Sequence, residues 1–235
     1  MMVYTAILLK ALGTGRESYK CPQNLISSPA TKAVRWETKM LDTRLHQQDE
    51  YVGGPTPQAD KAWNDLIDLS NIKIPSSDIA RAGLTSIPIP DEPDMSWASL
   101  GVIHELHCLS RLRMSIWTDH YYADFSDEER ELNRAHSDHC LDYLRQAAMC
   151  HGDVSLTTYR WTDDSPLPVA DFASPKVCVN WDALADWQRE RLWDPLVPGL
   201  LKHPKFGAAF PDGNGSRIGV QPDGMHQHHT GTRSS

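Results

Sequence analysis

Residues 104–108 read His104-Glu105-Leu106-His107-Cys108, and residues 136–140 read His136-Ser137-Asp138-His139-Cys140. Four of the eleven histidines and two of the five cysteines fall in these two short words. On a helix, positions i, i+3, i+4 and i+7 share a face. His104, His107, Cys108 and Arg111 therefore form one stripe, and His136, His139, Cys140 and Tyr143 form another. Around the first word Val102, Ile103, Leu106, Leu109, Leu112 and Ile116 mark a helix over about 98–120. Around the second, Ser126 followed by Asp127, Glu128 and Glu129 is a capping-box start. That helix runs to about Cys150 with Leu132, Ala135, Leu141, Leu144 and Ala148 inward, and Gly152 ends it. Folding the chain back near residue 122 sets His104 level with Cys140 and Cys108 level with His136. The expected fold is mainly α: a central antiparallel helical hairpin carrying both words, with peripheral short helices and irregular or short-strand segments.

The residue types set the chemistry. Imidazole suits zinc, copper, nickel or iron, and four could close a structural site or leave a position open for catalysis. The bland alternative is that each histidine packs or sits at a helix end; two copies at matching heights weigh against it. Glu105 follows the first histidine, but the second comes at i+3, so the His-Glu-x-x-His protease pattern fails. Cys108, Cys140, Cys150 and Cys178 are candidate disulfide partners, with Cys21 spare; three pairings of four cysteines remain open. Arg111, Tyr143 and Asp153 are secondary candidates for holding substrate or orienting an imidazole; a solvent-edge arginine, a packed tyrosine and a turn-forming aspartate are the plain alternatives. Glu105 and Asp138 read as solvated acids. Trp63, Trp97, Trp117 and Trp161 are core residues first and pocket walls second.

Outward from the two words the pattern thins. A helix is expected over 33–48, another from about Gln58 to Leu69 opened by Pro57, and a short one from Ser76 or Ser77 toward Ala82. Ile87-Pro88-Ile89-Pro90 is an extended or edge segment, because proline lacks the ladder donor. Asp91 to Asp94 reads as a turn, Ser96 as a helix cap, Val154 to Trp161 as a short strand and Ser165 to Pro168 as a turn. Asn180 or Asp182 starts a last helix through Leu192. Residues 1–44 form an N-terminal segment, 45–194 the domain, and 195–235 an irregular tail, disordered toward its end, where His226, His228 and His229 lie. The 235 residues carry a formal charge of −8 in short mixed clusters. Nothing resembles a basic groove, so nucleic acid is not an expected partner. Met1–Leu12 is mostly apolar but too short to span a bilayer.

The chain resembles the fungal UstYa-like oxidase family, described as a domain linked to mycotoxin biosynthesis. The resemblance rests on HELHCLSRLR from His104 and HSDHCLDYLRQAAMCHGDV from His136, flanked by YVGGPTPQADKAWNDL from Tyr51 and VCVNWDALADW from Val177. It covers about residues 45–192. It implies an oxidase that tailors a fungal secondary metabolite by oxidative cyclisation, hydroxylation or halogenation, abstracting hydrogen from a carbon or phenol. The implied cofactor is copper, with O2 as co-substrate and His104, His107, His136 and His139 as ligands. The implied partners are a small-molecule or peptide natural-product substrate and a homo- or heterodimer with a related member. A non-catalytic partner or substrate-binding protein of a related oxidase is the alternative role. Many relatives carry one N-terminal membrane helix and a lumenal domain, which would place the chain in or at the secretory lumen. Met1–Leu12 departs from that pattern, leaving a soluble form as the competing expectation.

Overall fold

The computed structural model describes residues 28–42, 49–170 and 173–215. Met1–Leu12, Cys21, His226, His228 and His229 lie outside the described residues. The α-helices are α1 (Pro57–Ile67), α2 (Ser76–Arg81), α3 (Gly101–Ile116), α4 (Thr118–Tyr121), α5 (Asp127–His151) and α6 (Trp181–Arg189). The strands are β1 (Trp36–Asp42), β2 (Ile72–Pro75), β3 (Pro88–Ile89), β4 (Glu92–Ala98), β5 (Tyr159–Thr162), β6 (Ser165–Ala170), β7 (Ala173–Val179), β8 (Lys202–His203) and β9 (Gly207–Ala208). They pair antiparallel in small sheets ordered β1-β7, β2-β4-β3, β5-β6 and β8-β9.

The fold is therefore mixed α/β, with 43% helix and 22% strand. This corrects the expectation of a mainly α protein built on a central helical hairpin. The two helices of that expectation do pack together, but strands account for much of what was expected to be peripheral helix, turn or loop. Residues 36–42 were expected inside a helix. They pair instead with β7, from Trp36 opposite Val179 to Asp42 opposite Ala173. Trp36, Thr38 and Met40 alternate with Glu37 and Lys39, and tryptophan and threonine suit a pleated surface once a partner is present. Asp91–Asp94 and Ser96 were expected as a turn and a helix cap. Residues 92–94 and Ser96 belong to β4, where buried Ser96 meets the Ser76 hydroxyl at 2.7 Å, while Asp91 stays in the turn before the strand. Ser165–Pro168 likewise forms part of β6 rather than a turn. The partners of β1 and of one edge of β4 come from more distant parts of the chain, whereas β3–β4 and β5–β6 are local hairpins joined by two residues. Pro88–Ile89 sits at the sheet edge, where a residue without an N–H is tolerated.

Local signals placed the helix ends well. Thr56 accepts the Ala59 N–H, with Pro57 at the first position of α1. Ser126 and Glu129 form a reciprocal capping box on α5, and Gly152 closes that helix in the left-handed region at φ 53°. Asn180 caps α6, which ends at Arg189 rather than Leu192.

The helix faces depart from the expected apolar stripes. α3 buries Ile103, Cys108, Ser110 and Arg111 and leaves Ile116 75% exposed. α5 buries Asn133, His136 and Cys140 and leaves Leu141 60% exposed. Apolar packing is elsewhere. Leu69, Ile103 and Ala185 form one cluster, flanked by Leu100, Val102, Leu106 and Trp181. Tyr122 and Phe125 form another at the α3–α5 connection, flanked by Met114, Tyr121 and Leu132. α3 thus has an apolar side against the segment after α1 and against α6, and a polar side against α5. Arg113 ties it to α1 through Asp60 at 3.0 Å.

Candidate functional site

The polar side of α3 and the facing side of α5 meet rung by rung. Arg111 donates to the Asn133 amide oxygen at the inner end. The buried thiols of Cys108 and Cys140 come next, in hydrogen-bond contact with each other. The His107 and His136 rings lie 5.7 Å apart, and the His104 and His139 rings 5.9 Å. Tyr143 closes the outer end, its ring 4.2 Å from His104. Within α3, His104 and His107 are 6.2 Å apart. Residue numbers fall on α5 as they rise on α3, as antiparallel packing requires.

Exposure grades along this ladder. His136 is 1% exposed, His104 and His107 are half-buried, and His139 is exposed. A molecule arriving from solvent meets His139, His104 and Tyr143 first. Metal–nitrogen bonds of about 2.0–2.1 Å put two imidazole ring centres that share an ion roughly 5–6 Å apart. The ring spacings are of this order, so donor type and spacing fit a metal. The rings are not yet turned onto one point: among the described residues, no three His, Cys, Asp or Glu side chains converge as a formed ligand set. His104 and His139 stack at 28°, so loading an ion requires ring rotation.

The surroundings set the protonation states. Burial, then the Glu105 and Cys108 charges, raises Tyr143, keeping its phenol protonated at neutral pH. Cys140 is pulled down by its hydrogen bond with Cys108 and then by His136 and His139, against burial. Cys108 is pushed up by that same hydrogen bond and by burial. Burial lowers Arg111, whose guanidinium also sits 5.5 Å from the Tyr122 ring centre.

The remaining candidates occupy other places. Arg111 is 4% exposed, inside the helix interface rather than at its edge. Asp153 is held by Lys176 at 2.7 Å and by the backbone and hydroxyl of Ser155; these contacts hold its carboxyl well below the usual carboxylate range. Cys150 is exposed and Cys178 half-buried, and all four cysteines are free thiols in this structure. Two participants were not expected. Glu105 lies 3.7 Å from His151 at the outer end of the site. Asn133 receives Arg111, a pair the fold-back near residue 122 also sets level, although the sequence reading did not single it out.

The family model described as "Mycotoxin biosynthesis protein UstYa" matches residues 1–191. Among curated proteins, the UstYa family oxidase phomYc of Diaporthe leptostromiformis is 30% identical over 61% of this chain and 59% of its own length. The oxidase ustYa of Aspergillus flavus is 35% identical over 43% of this chain and 48% of its own. The transacylase cctO of Talaromyces islandicus is 26% identical over 71% and 61%. The chain spans about half the length of the curated relatives it matches. No solved structure matches it.

Proposed function

The chain belongs to the UstYa family of mycotoxin biosynthesis proteins, and from that membership we propose that it is a copper-dependent oxidase tailoring a fungal secondary metabolite. Relatives named as oxidases support the class. The observation that carries the reading is the facing of His104 and His107 against His139 and His136, with a protonated phenol at the open end. His104, His107, His136 and His139 would hold the metal. Copper bound by imidazole supplies one-electron redox chemistry and a place for dioxygen.

The chain's own residues do the rest. His136 is buried beside Cys140, giving the ligand set its inner member. His104 and His107 are half-buried, and His139 meets solvent. The Tyr143 hydroxyl keeps its proton and stands beside His104, where it orients a substrate heteroatom or hands over a proton. The substrate is a small-molecule or peptide natural product that loses hydrogen from a carbon or phenol, leading to cyclisation, hydroxylation or halogenation. A homo- or heterodimer with a related family member is the proposed assembly.

One relative is named a transacylase. The oxidative reading is preferred because the facing imidazoles supply metal-ligand donors and other relatives are named oxidases.

The test is product formation and copper content in His107→Ala and His139→Ala. Both variants should keep the fold, lose bound copper and lose roughly 100-fold or more of the activity. Tyr143→Phe should retain copper and lose roughly 10–100-fold. Full product formation in both histidine variants overturns the proposal.

A further inference from the structure

A large share of the exposed apolar surface lies on one stretch of chain after α5. That helix ends at His151, beside Glu105, and Asp153 is tied to Lys176 on β7. Beyond these anchors Val154, Leu156, Tyr159, Trp161 and Leu167 are all exposed, the last three on the β5–β6 hairpin. Trp161, a core residue by its type, is 73% exposed. Together these side chains show on the order of 700 Å² to solvent, more than the roughly 300–600 Å² of the largest patch on a typical monomer. Between the pairs Arg160–Val169 and Thr162–Ser165, Trp161 is the residue on β5 and Leu167 the middle one on β6.

The hairpin lacks the support that such an element needs. β5 and β6 form a two-stranded sheet and, among the described elements, pack chiefly on each other. Two strands alone are marginal in water, and a third strand or a covering surface is what makes them stable. The two edges differ. β6 carries Pro166 and Pro168, which offer no N–H and close its outer edge to another strand. β5 reads Tyr159-Arg160-Trp161-Thr162, with no proline and no lysine, and among the described residues its outer edge is open. An open aromatic edge on a patch of this size is a template for one more strand.

We propose that β5 is the contact between two copies of this chain, paired antiparallel about a two-fold axis into a four-stranded sheet. Area and charge choose this occupant. A standard interface takes about 800 Å² from each partner, and the patch is of that order. Two-fold pairing presents the same surface from both sides. It sets Tyr159 and Trp161 of one copy against those of the other, where aromatic cross-strand pairs are favourable. It also carries Arg160 toward the partner's Asp163, an exposed residue of the hairpin turn. A lipid surface suits the hairpin less, because Asp163 and Asp164 are exposed at its tip and repel anionic headgroups. The proposal gives a surface to the dimer of the preceding section and rests on that assembly, not on the copper chemistry.

Sedimentation velocity of the full chain at micromolar concentration tests it and should show a dimer. Trp161→Lys and, separately, Tyr159→Lys should weaken association about 30-fold or more, the scale of an interface hot spot. Both side chains are exposed, so the melting temperature of the monomer should not fall. Trp36→Ser, which removes an exposed tryptophan on β1, should leave the dimer intact. A monomer throughout the micromolar range overturns the proposal. A dimer that both lysine variants leave unchanged overturns it too, while the assembly itself stands with its contact elsewhere. Co-sedimentation of the parent, but not of Trp161→Lys, with phosphatidylcholine–phosphatidylserine vesicles would assign the face to a membrane and likewise overturn it. Copper content measured on the same samples reports on the metal reading separately, and its absence leaves the dimer result standing.

Discussion

Arg111 carries a charge into a place where charges are expensive. It is 4% exposed, and among the described residues its polar partner is the Asn133 amide oxygen, with the Tyr122 ring below. A lone acceptor on a buried guanidinium matters more than its single bond suggests, because nothing replaces it when it is removed. Asn133→Ala should destabilise the protein by roughly 1.5–3 kcal/mol, the range for a hydrogen bond to a charged group. Asn133→Asp, which keeps the acceptor and adds the missing countercharge, should lose less. Urea unfolding of the two variants checks this; equal losses would show that Asn133 contributes packing alone. The pair also shows what was legible at this scale. Spacing on two helices and a turn near residue 122 set the two words at the same height, but with His104 opposite Cys140 and Cys108 opposite His136; the structure instead pairs His104 with His139, His107 with His136 and Cys108 with Cys140. The apolar pattern misleads there. Leu141 and Ile116 look like core residues by period yet face solvent, because the helices spend their shared face on imidazole, thiol and guanidinium.

At the scale of elements, most helix ends were readable, though Ser96 is no cap; of the strands, the Pro88–Ile89 edge and part of β5 were anticipated and most others were not. A capping box or an asparagine cap is complete within four residues, as at Ser126–Glu129 and Asn180–Ala183. A strand such as β1 is defined by β7, more than a hundred residues away, and no window around Trp36 contains that partner. The short α4 shows a third case, an element held by its contacts. Its last residue, Tyr121, donates to the Asp60 carboxylate on α1 and accepts from Arg113 on α3 at 2.7 Å. Burial and the Asp60 hydrogen bond push the Tyr121 phenol up to about 12 from an ordinary 10.0. In the unfolded chain the phenol ionises near the ordinary value. The stability it contributes is therefore complete below pH 10 and is lost as pH rises from about 10 to about 12. Tyr121→Phe removes this contribution, so its stability should start lower and fall less steeply over that window. Tyr51, Tyr122 and Tyr143 are also raised and keep the slope from vanishing. Denaturant unfolding at several alkaline pH values checks the prediction; parallel curves for the two proteins would refute it.

For the whole molecule, α3 is the wall between two environments. On one side Ile103, 1% exposed, packs with Leu69 and Ala185, joining the segment after α1 to α6. On the other, the next residue, His104, faces His139 and Tyr143. The small sheets share little with one another, so this apolar contact connects pieces that no continuous sheet joins. Ile103→Ala should destabilise the protein by roughly 2–5 kcal/mol, the range for a large-to-small change in a core, toward the upper end if the surrounding helices cannot close on the space. The effect on the imidazole ladder should be much smaller. His104 is placed by the backbone of α3 and by its packing on α5, where Cys108 meets Cys140 and Arg111 meets Asn133. Those rungs sit about a quarter-turn around the helix from Ile103 rather than on its own contact line with Leu69 and Ala185. Well below its melting temperature, the variant should bind metal per folded molecule as the parent does. Melting curves together with copper titration separate the two quantities. Metal affinity that falls along with stability, at temperatures where the variant is fully folded, would mean that the apolar side of α3 sets the spacing of its histidines. In that case the Leu69–Ile103–Ala185 cluster would belong to the site as a positioning element, and the sequence between His104 and Cys108 would be only half of what defines it.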